Sequence, residues 1–174
     1  IFHADTEGEN FRRAFREAGF PLSGPCIWVK DSFVMGRSPS QWQHEPILYG
    51  WLKTGTHKWY AGRSEATVWN FAKPKKNSDH PTSKPLDLLA YPIRNSSQAN
   101  GIVLDTFGGS GSTLIACEQT DRICFMLELD EKYASVILRR YAEFMGDGGG
   151  DITCERGGET LRYADLVKEV AGRG

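Results

Sequence analysis

Nowhere in these 174 residues does an apolar run reach the roughly 20 residues needed to cross a bilayer, and no basic-then-apolar leader opens the chain. A soluble cytoplasmic protein without a membrane partner is therefore the starting expectation. Cysteine is scarce. Cys26, Cys117, Cys124 and Cys154 stand singly without C-x-x-C spacing, so neither a zinc site nor a dithiol redox centre is expected, and the thiols read as reduced and structural. An excess of charge is missing too: 21 Lys and Arg oppose 22 Asp and Glu, leaving a net charge of −1 that argues neither for nor against a polyanionic partner.

What is present suits one globular domain, because 40% hydrophobic residues over this length supply a sizeable core. The charge is unevenly spread. Between Trp51 and His80 six Lys or Arg oppose two acids, with Trp51, Trp59, Tyr60, Trp69 and Phe71 interleaved among them. Such mixing suits phosphate contact and base stacking, with Arg63, Lys75 and Lys76 the best candidates for phosphate. The alternative is a solvated loop with a few buried aromatics.

Periodicity outlines the elements. Ile1-Phe2-His3 reads as the tail of a strand, and Asn10 to Gly19 as a short amphipathic helix with Phe11, Ala14, Phe15 and Ala18 on one face. CIWVK (Cys26 to Lys30) and PILYGWL (Pro46 to Leu52) read as strands, and residues 53 to 83 as irregular. A helix follows Pro85, which Pro92 should kink or end. GIVLD, the turn TFGGSGS, the helix TLIACEQT, the strand RICFMLEL and a helix capped by Asp130 then form a βαβα unit, for which a parallel sheet is expected. In that last helix Tyr133, Ile137, Tyr141 and Phe144 recur at helical spacing, while Lys132, Arg139 and Arg140 are expected to face water. Past the glycine linker GDGGGD, ITCERGGETLRY suits a hairpin and ADLVKEV one or two helical turns.

The turn DTFGGSGSTLIA (Asp105 to Ala116) is the most informative stretch. A phosphate-binding P-loop would need lysine after Gly111, where Ser112 and Thr113 stand. The dinucleotide pattern G-x-G-x-x-G would place its third glycine on Leu114, which demotes a nicotinamide-dependent oxidoreductase. S-adenosylmethionine remains. Asp105 can accept from its ammonium group, the backbone of Gly108 to Gly111 can donate to its carboxylate or pack beneath it, and Glu128 at the end of the next strand can hold the ribose hydroxyls. The alternative is that both acids are helix caps and the glycines merely make a tight turn.

These residues also carry a family resemblance. DTFGGSGSTLIA resembles the cofactor motif of DNA amino-methyltransferases, D-P-F-x-G-S-G-S/T, LELDEKYA resembles the next motif, and HPTSKP (His80 to Pro85) resembles the H-P-T-x-K-P segment. IFHADTEGENFRRAFREAGF, CIWVKDSFVMGR and WQHEPILYGW are similar to the middle motifs of phage-type members, so the resemblance covers roughly residues 1 to 146. It implies a Rossmann-like α/β fold of the permuted class that places its catalytic half first. Residues 1–52 would be the C-terminal part of that half, 53–79 a small basic target-recognition segment, 80–146 the cofactor half and 147–174 a linker and tail. It further implies that Thr82, Lys84, Asp105, Phe107, Gly108, Gly109, Ser110, Gly111 and Glu128 serve S-adenosylmethionine, and that double-stranded DNA is methylated on an exocyclic amine, N6 of adenine before N4 of cytosine.

Two departures stand out. Thr106 replaces the usual proline, which should loosen the turn slightly. More consequentially, no two of the eight prolines are adjacent, so the family's Asp/Asn/Ser-Pro-Pro-Tyr/Phe tetrapeptide, which accepts from the amine and stacks on the rotated-out base, is absent. In the permuted order it belongs upstream of Ile1, on the strand between the one ending at Asp105 and the one ending near His3. A gap or rearrangement is expected there, or a strand supplied by a missing N-terminal segment or a second chain, as in a homodimer. The chain alone is expected to be inactive, and a noncatalytic cofactor- or nucleic-acid-binding module is the second reading. His44 and Glu45, adjacent on a strand, should point to opposite faces, which disfavours joint metal coordination; no metal site is expected. His3 and Asp5 fall where ligands bind in open α/β sheets, although Asp5 suits a helix cap equally well.

Overall fold

The structure is a computed structural model that describes residues 1–74, 83–146 and 148–171. After a 3-10 turn (Asp5–Glu7) come α1 (Gly8–Glu17), β1 (Cys26–Val34), β2 (Trp42–Ile47) and β3 (Val68–Asn70). The second half runs α2 (Leu86–Ser96), β4 (Ile102–Asp105), α3 (Ser112–Glu118), β5 (Ile123–Met126) and α4 (Glu131–Met145). A hairpin of β6 (Thr153–Arg156) and β7 (Glu159–Arg162) leads into α5 (Tyr163–Ala171), which is longer than the turn or two expected. Gly157 and Gly158, both at positive φ, form the hairpin's two-residue turn, a conformation that glycine adopts without a Cβ penalty.

The first sheet has the order β2-β1-β3, with β1 antiparallel to β2 and parallel to β3. Alternation along β1 turns Cys26, Trp28 and Lys30 inward, and the indole of Trp28 donates to the carbonyl of Phe71 at 2.8 Å. Trp69 belongs to the same core, with Phe71 and Tyr91 packed against it, so these two aromatics of the basic stretch are committed to packing rather than to a stacking surface. Ile1–His3 extends this sheet beyond β2, with Leu48 N donating to Ile1 O (2.8 Å) and His3 N to Pro46 O (3.2 Å).

The βαβα unit forms as read, with β4 and β5 parallel in the register Ile102↔Ile123 to Asp105↔Met126. Helix α2 continues through Pro92 to Ser96 instead of ending there. Its buried face, Leu88, Leu89, Ala90 and Ile93, packs against both sheets at once, and that burial outweighs the single backbone hydrogen bond the proline removes. Helix α1 buries Phe15, but Phe11 stays partly exposed and stacks on the His3 ring at 5.1 Å.

The two sheets do not join. Among the described residues nothing pairs with the free edge of β4, and a cavity of about 580 Å³ opens between Ile1-Phe2 on one side and Leu104 to Ser110 on the other. The expected gap is there. The face of the β4–β5 pair turned away from α2 and α3 exposes Ile102 (65%), Leu104 (66%), Ile123 and Phe125, an apolar patch of the kind a second layer normally covers.

Candidate functional site

Strand β4 delivers Asp105 to the mouth of the cavity, where its Oδ1 accepts from the N–H of Phe107 at 3.0 Å. The turn that follows is pinned to the end of β5. Leu127 N donates to Asp105 O (2.9 Å), Gly108 N to Leu127 O (2.9 Å) and Gly109 N to a carboxylate oxygen of Glu128 (2.6 Å). Gly111 N closes back on Gly108 O at 2.8 Å. Three of the four N–H groups from Gly108 to Gly111 are thus spent inside the protein, which leaves the turn as a floor for a ligand rather than as a row of donors.

Glycine is required here for two reasons. A Cβ at Gly108 would meet Met126 Sδ at 2.6 Å, and Gly111, at φ +77°, would set one 2.9 Å from Ile137 of α4. Gly111→Ala is expected to cost about 2 kcal/mol, from left-handed strain plus overpacking against Ile137, read as a lowered midpoint in urea unfolding.

Glu128 is held as a carboxylate. The N–H groups of Asp130 and Gly109 hydrogen-bond its oxygens and keep its pKa below the usual glutamate range. Each oxygen has two lone pairs, so acceptor capacity remains for a pair of hydroxyls. Asp130 also caps α4 as expected, accepting from Lys132 N at 2.8 Å. Phe107, 89% exposed, stands at the cavity rim as an uncommitted ring.

Ser83 and Lys84 form a short strap just before α2, with Lys84 lining the cavity. The Ser83 hydroxyl donates to that of Ser110 at 2.9 Å, tying the strap to the turn. The Lys84 ammonium lies over the Phe2 ring at 5.2 Å and 3.4 Å from Glu45, whose other oxygen is 2.8 Å from the buried Lys30 ammonium. Glu45 and His44 do face opposite ways on β2, and only Glu45 joins this cluster. Neither the Ser83 latch nor Glu45 as the partner of Lys84 was legible in the sequence, because each depends on elements distant along the chain. Arg140 was misplaced by the same reasoning: it bends off α4 onto the turn and donates to the carbonyl of Ser110.

The remaining candidates are scattered. Thr82, Lys75 and Lys76 lie outside the described residues. Arg63 falls in the loop between Trp59 and β3. Tyr60 N, three residues before it, donates to Asn95 O at 2.8 Å, near the end of α2. His3 is buried against Phe11, with Nδ1 2.9 Å from the carbonyl oxygen of Ala4, and Asp5 starts the 3-10 turn without capping it. The described residues contain no group of three or more potential metal ligands. No helix among them is long and apolar enough to cross a membrane.

The profile of a protein family described as DNA methylase matches residues 17–139. Among curated proteins, the chain is 31% identical over 156 residues to the type II methyltransferase M.Cfr9I of Citrobacter freundii, covering 78% of this chain and 50% of that protein. It is 37% identical over 82 residues to the type II methyltransferase M.SmaI of Serratia marcescens, covering 45% of this chain and 28% of that one. The chain thus spans about half the length, or less, of the curated relatives it matches. The solved structure of an M1.HpyAVI–SAM complex superposes with a TM-score of 0.70 at 26% identity, over 81% of this chain and 72% of that one. The cytosine-N4-specific PvuII DNA methyltransferase shares the fold at 17% identity, with a TM-score of 0.61 over 94% of this chain and 62% of that one. The architecture is the Rossmann-like α/β methyltransferase fold, in which, among the described residues, no strand joins β4 to the first sheet.

Proposed function

This chain belongs to the N6/N4 DNA methylase family, and from that premise we propose that its cavity binds S-adenosylmethionine and that the protein methylates an exocyclic amine in double-stranded DNA. The observation that carries this reading is the pairing of Asp105 and Glu128 at the carboxyl ends of two adjacent parallel strands, joined by a turn packed so tightly on Met126 and Ile137 that Gly108 and Gly111 have no room for a Cβ. Asp105 accepts from the ligand's ammonium group, and Glu128 accepts from its ribose hydroxyls. Phe107 packs along the nucleoside, while Gly108, Gly109, Ser110 and Gly111 lie beneath the amino-acid end. Lys84 serves the carboxylate, a role to which the family motif also assigns Thr82. The sulfonium supplies an electrophilic methyl group; the protein supplies orientation for in-line transfer to the amine. Adenine N6 is favoured over cytosine N4, and Arg63, Lys75 and Lys76 contribute phosphate contacts.

The missing strand, with its proline-containing tetrapeptide, is supplied by a polypeptide segment other than these 174 residues. The unpaired edge of β4, the cavity beside it and the exposed apolar face of Ile102, Leu104, Ile123 and Phe125 support this. A tritiated-methyl transfer assay on duplex DNA tests it. The chain alone should transfer no label, and addition of a polypeptide carrying the strand and tetrapeptide of a relative should restore transfer. Transfer by the unaided chain would show that the tetrapeptide is dispensable. Cofactor binding without transfer under either condition would favour the second reading, a noncatalytic module, which the missing tetrapeptide supports.

A further inference from the structure

Arg140 reaches the glycine turn from α4, an element with no ligand-facing role of its own. Its guanidinium donates to the carbonyl of Ser110 and lies 3.4 Å from the Ser112 hydroxyl. Both serines are buried, at 5% exposure each, and their hydroxyls are 3.2 Å apart. The Ser110 hydroxyl in turn accepts from Ser83, 2.9 Å away on the strap. One chain of hydrogen bonds therefore links α4, the turn, the start of α3 and the Ser83–Lys84 strap.

The geometry points to Arg140 as a positioning residue for the cofactor reaction: it fixes the carbonyl of Ser110, and through the Ser110 and Ser112 hydroxyls it sets the place of the Ser83–Lys84 strap. The physical reason lies in the turn's composition. Gly109 and Gly111 both sit at positive φ and hold the backbone by no side chain of their own, so a turn of this kind samples other conformations unless something outside it restrains the peptide between them. The bond from Arg140 falls on that peptide, at Ser110 O, between the two glycines. A guanidinium suits the task because its planar fork reaches two acceptors at once and stays charged at every physiological pH. Ile137, one turn earlier on α4, packs against Gly108 and Gly111, so the same helix supplies the apolar stop and the polar tether.

This inference rests on the proposed cofactor reading, and the test separates the two. Affinities of the 174-residue chain for S-adenosylhomocysteine and for methylthioadenosine, which lacks the amino-acid tail, would be measured by calorimetry beside Arg140→Met, Arg140→Lys and Ser110→Ala. In Arg140→Met, S-adenosylhomocysteine affinity should fall about tenfold and methylthioadenosine affinity less than twofold, with amide exchange of Gly109 to Ser112 accelerated. Arg140→Lys should recover part of the loss, and Ser110→Ala should add little in the Arg140→Met background. Equal losses for both ligands, tracking a lowered melting temperature, would reduce Arg140 to a structural residue, and unchanged affinity would overturn the inference outright. Failure of the unsubstituted chain to bind either ligand would overturn the cofactor reading itself, together with the inference built on it.

Discussion

Replacing Asp105 and Glu128 together by alanine is expected to abolish S-adenosylmethionine binding in calorimetric titration, with each single replacement weakening it roughly tenfold or more, as expected for loss of a charge-assisted hydrogen bond. The two acids act at different ends of the ligand, one on the ammonium and one on the sugar, so their losses should be close to additive. Each acid also serves the protein, because Asp105 accepts from Phe107 N and Glu128 from Gly109 N. Asp105→Asn and Glu128→Gln therefore belong in the same experiment: the Asn oxygen still accepts from Phe107 N without the charge, whereas the Gln oxygen keeps only one of the two backbone bonds that the separate oxygens of Glu128 accept from Gly109 N and Asp130 N. If the amide variants bind as weakly as the alanine variants while melting at the unsubstituted temperature, the loss belongs to the ligand contacts. An unaltered affinity in the double alanine variant would sink the cofactor assignment.

Glu45→Gln is expected to lower the unfolding free energy by about 3 kcal/mol at neutral pH, because removing one partner of a largely buried pair strands the other charge. The stranded charge is Lys30, 8% exposed and 2.8 Å from Glu45, with Lys84 the weaker second partner at 3.4 Å. Burial alone would push the Glu45 carboxyl upward, but the hydrogen bond from Lys30 and the two ammonium charges prevail and hold it below its ordinary 4.5. A carboxylate whose pKa is depressed by folding stabilises the native state fully above its unfolded value and loses that contribution as pH falls through the folded one. Urea titrations should therefore show the full gap between the two proteins above about pH 5 and a closing gap below 4.5. A gap that persists unchanged into strong acid would mean that the ion pairs are not its source. Lys30→Met combined with Glu45→Gln, which removes the stranded cation, should recover much of the loss.

Much of this site could be read in advance because its chemistry is local. Asp105 through Gly111 are consecutive, and Glu128 is placed by the parallel register of β5 against β4, which hydrophobic periodicity already implied. The apolar stripe of α4 and its cap at Asp130 were legible for the same reason. Of the two roles open to the Gly108 to Gly111 backbone, donating to a carboxylate or packing beneath the ligand, the next strand limits the first. Leu127 and Glu128 take two of those donors, and only the folded register brings them there. Pro92 misled in a similar way: propensity ends a helix at proline, but α2 is buried against two sheets and runs on.

The order of motifs places the expected strand between β4 and the Ile1–His3 segment, where a cavity of about 580 Å³ lies. Geometry decided the rest. Arg140 leaves the solvent side of its helix for the carbonyl of Ser110, and Lys84 turns toward Glu45 on a strand about forty residues earlier. Sequence spacing governs groups held on one element or on directly paired strands, where backbone hydrogen bonds leave few arrangements. Long side chains choose among partners that only packing brings within reach, and no local pattern encodes that choice.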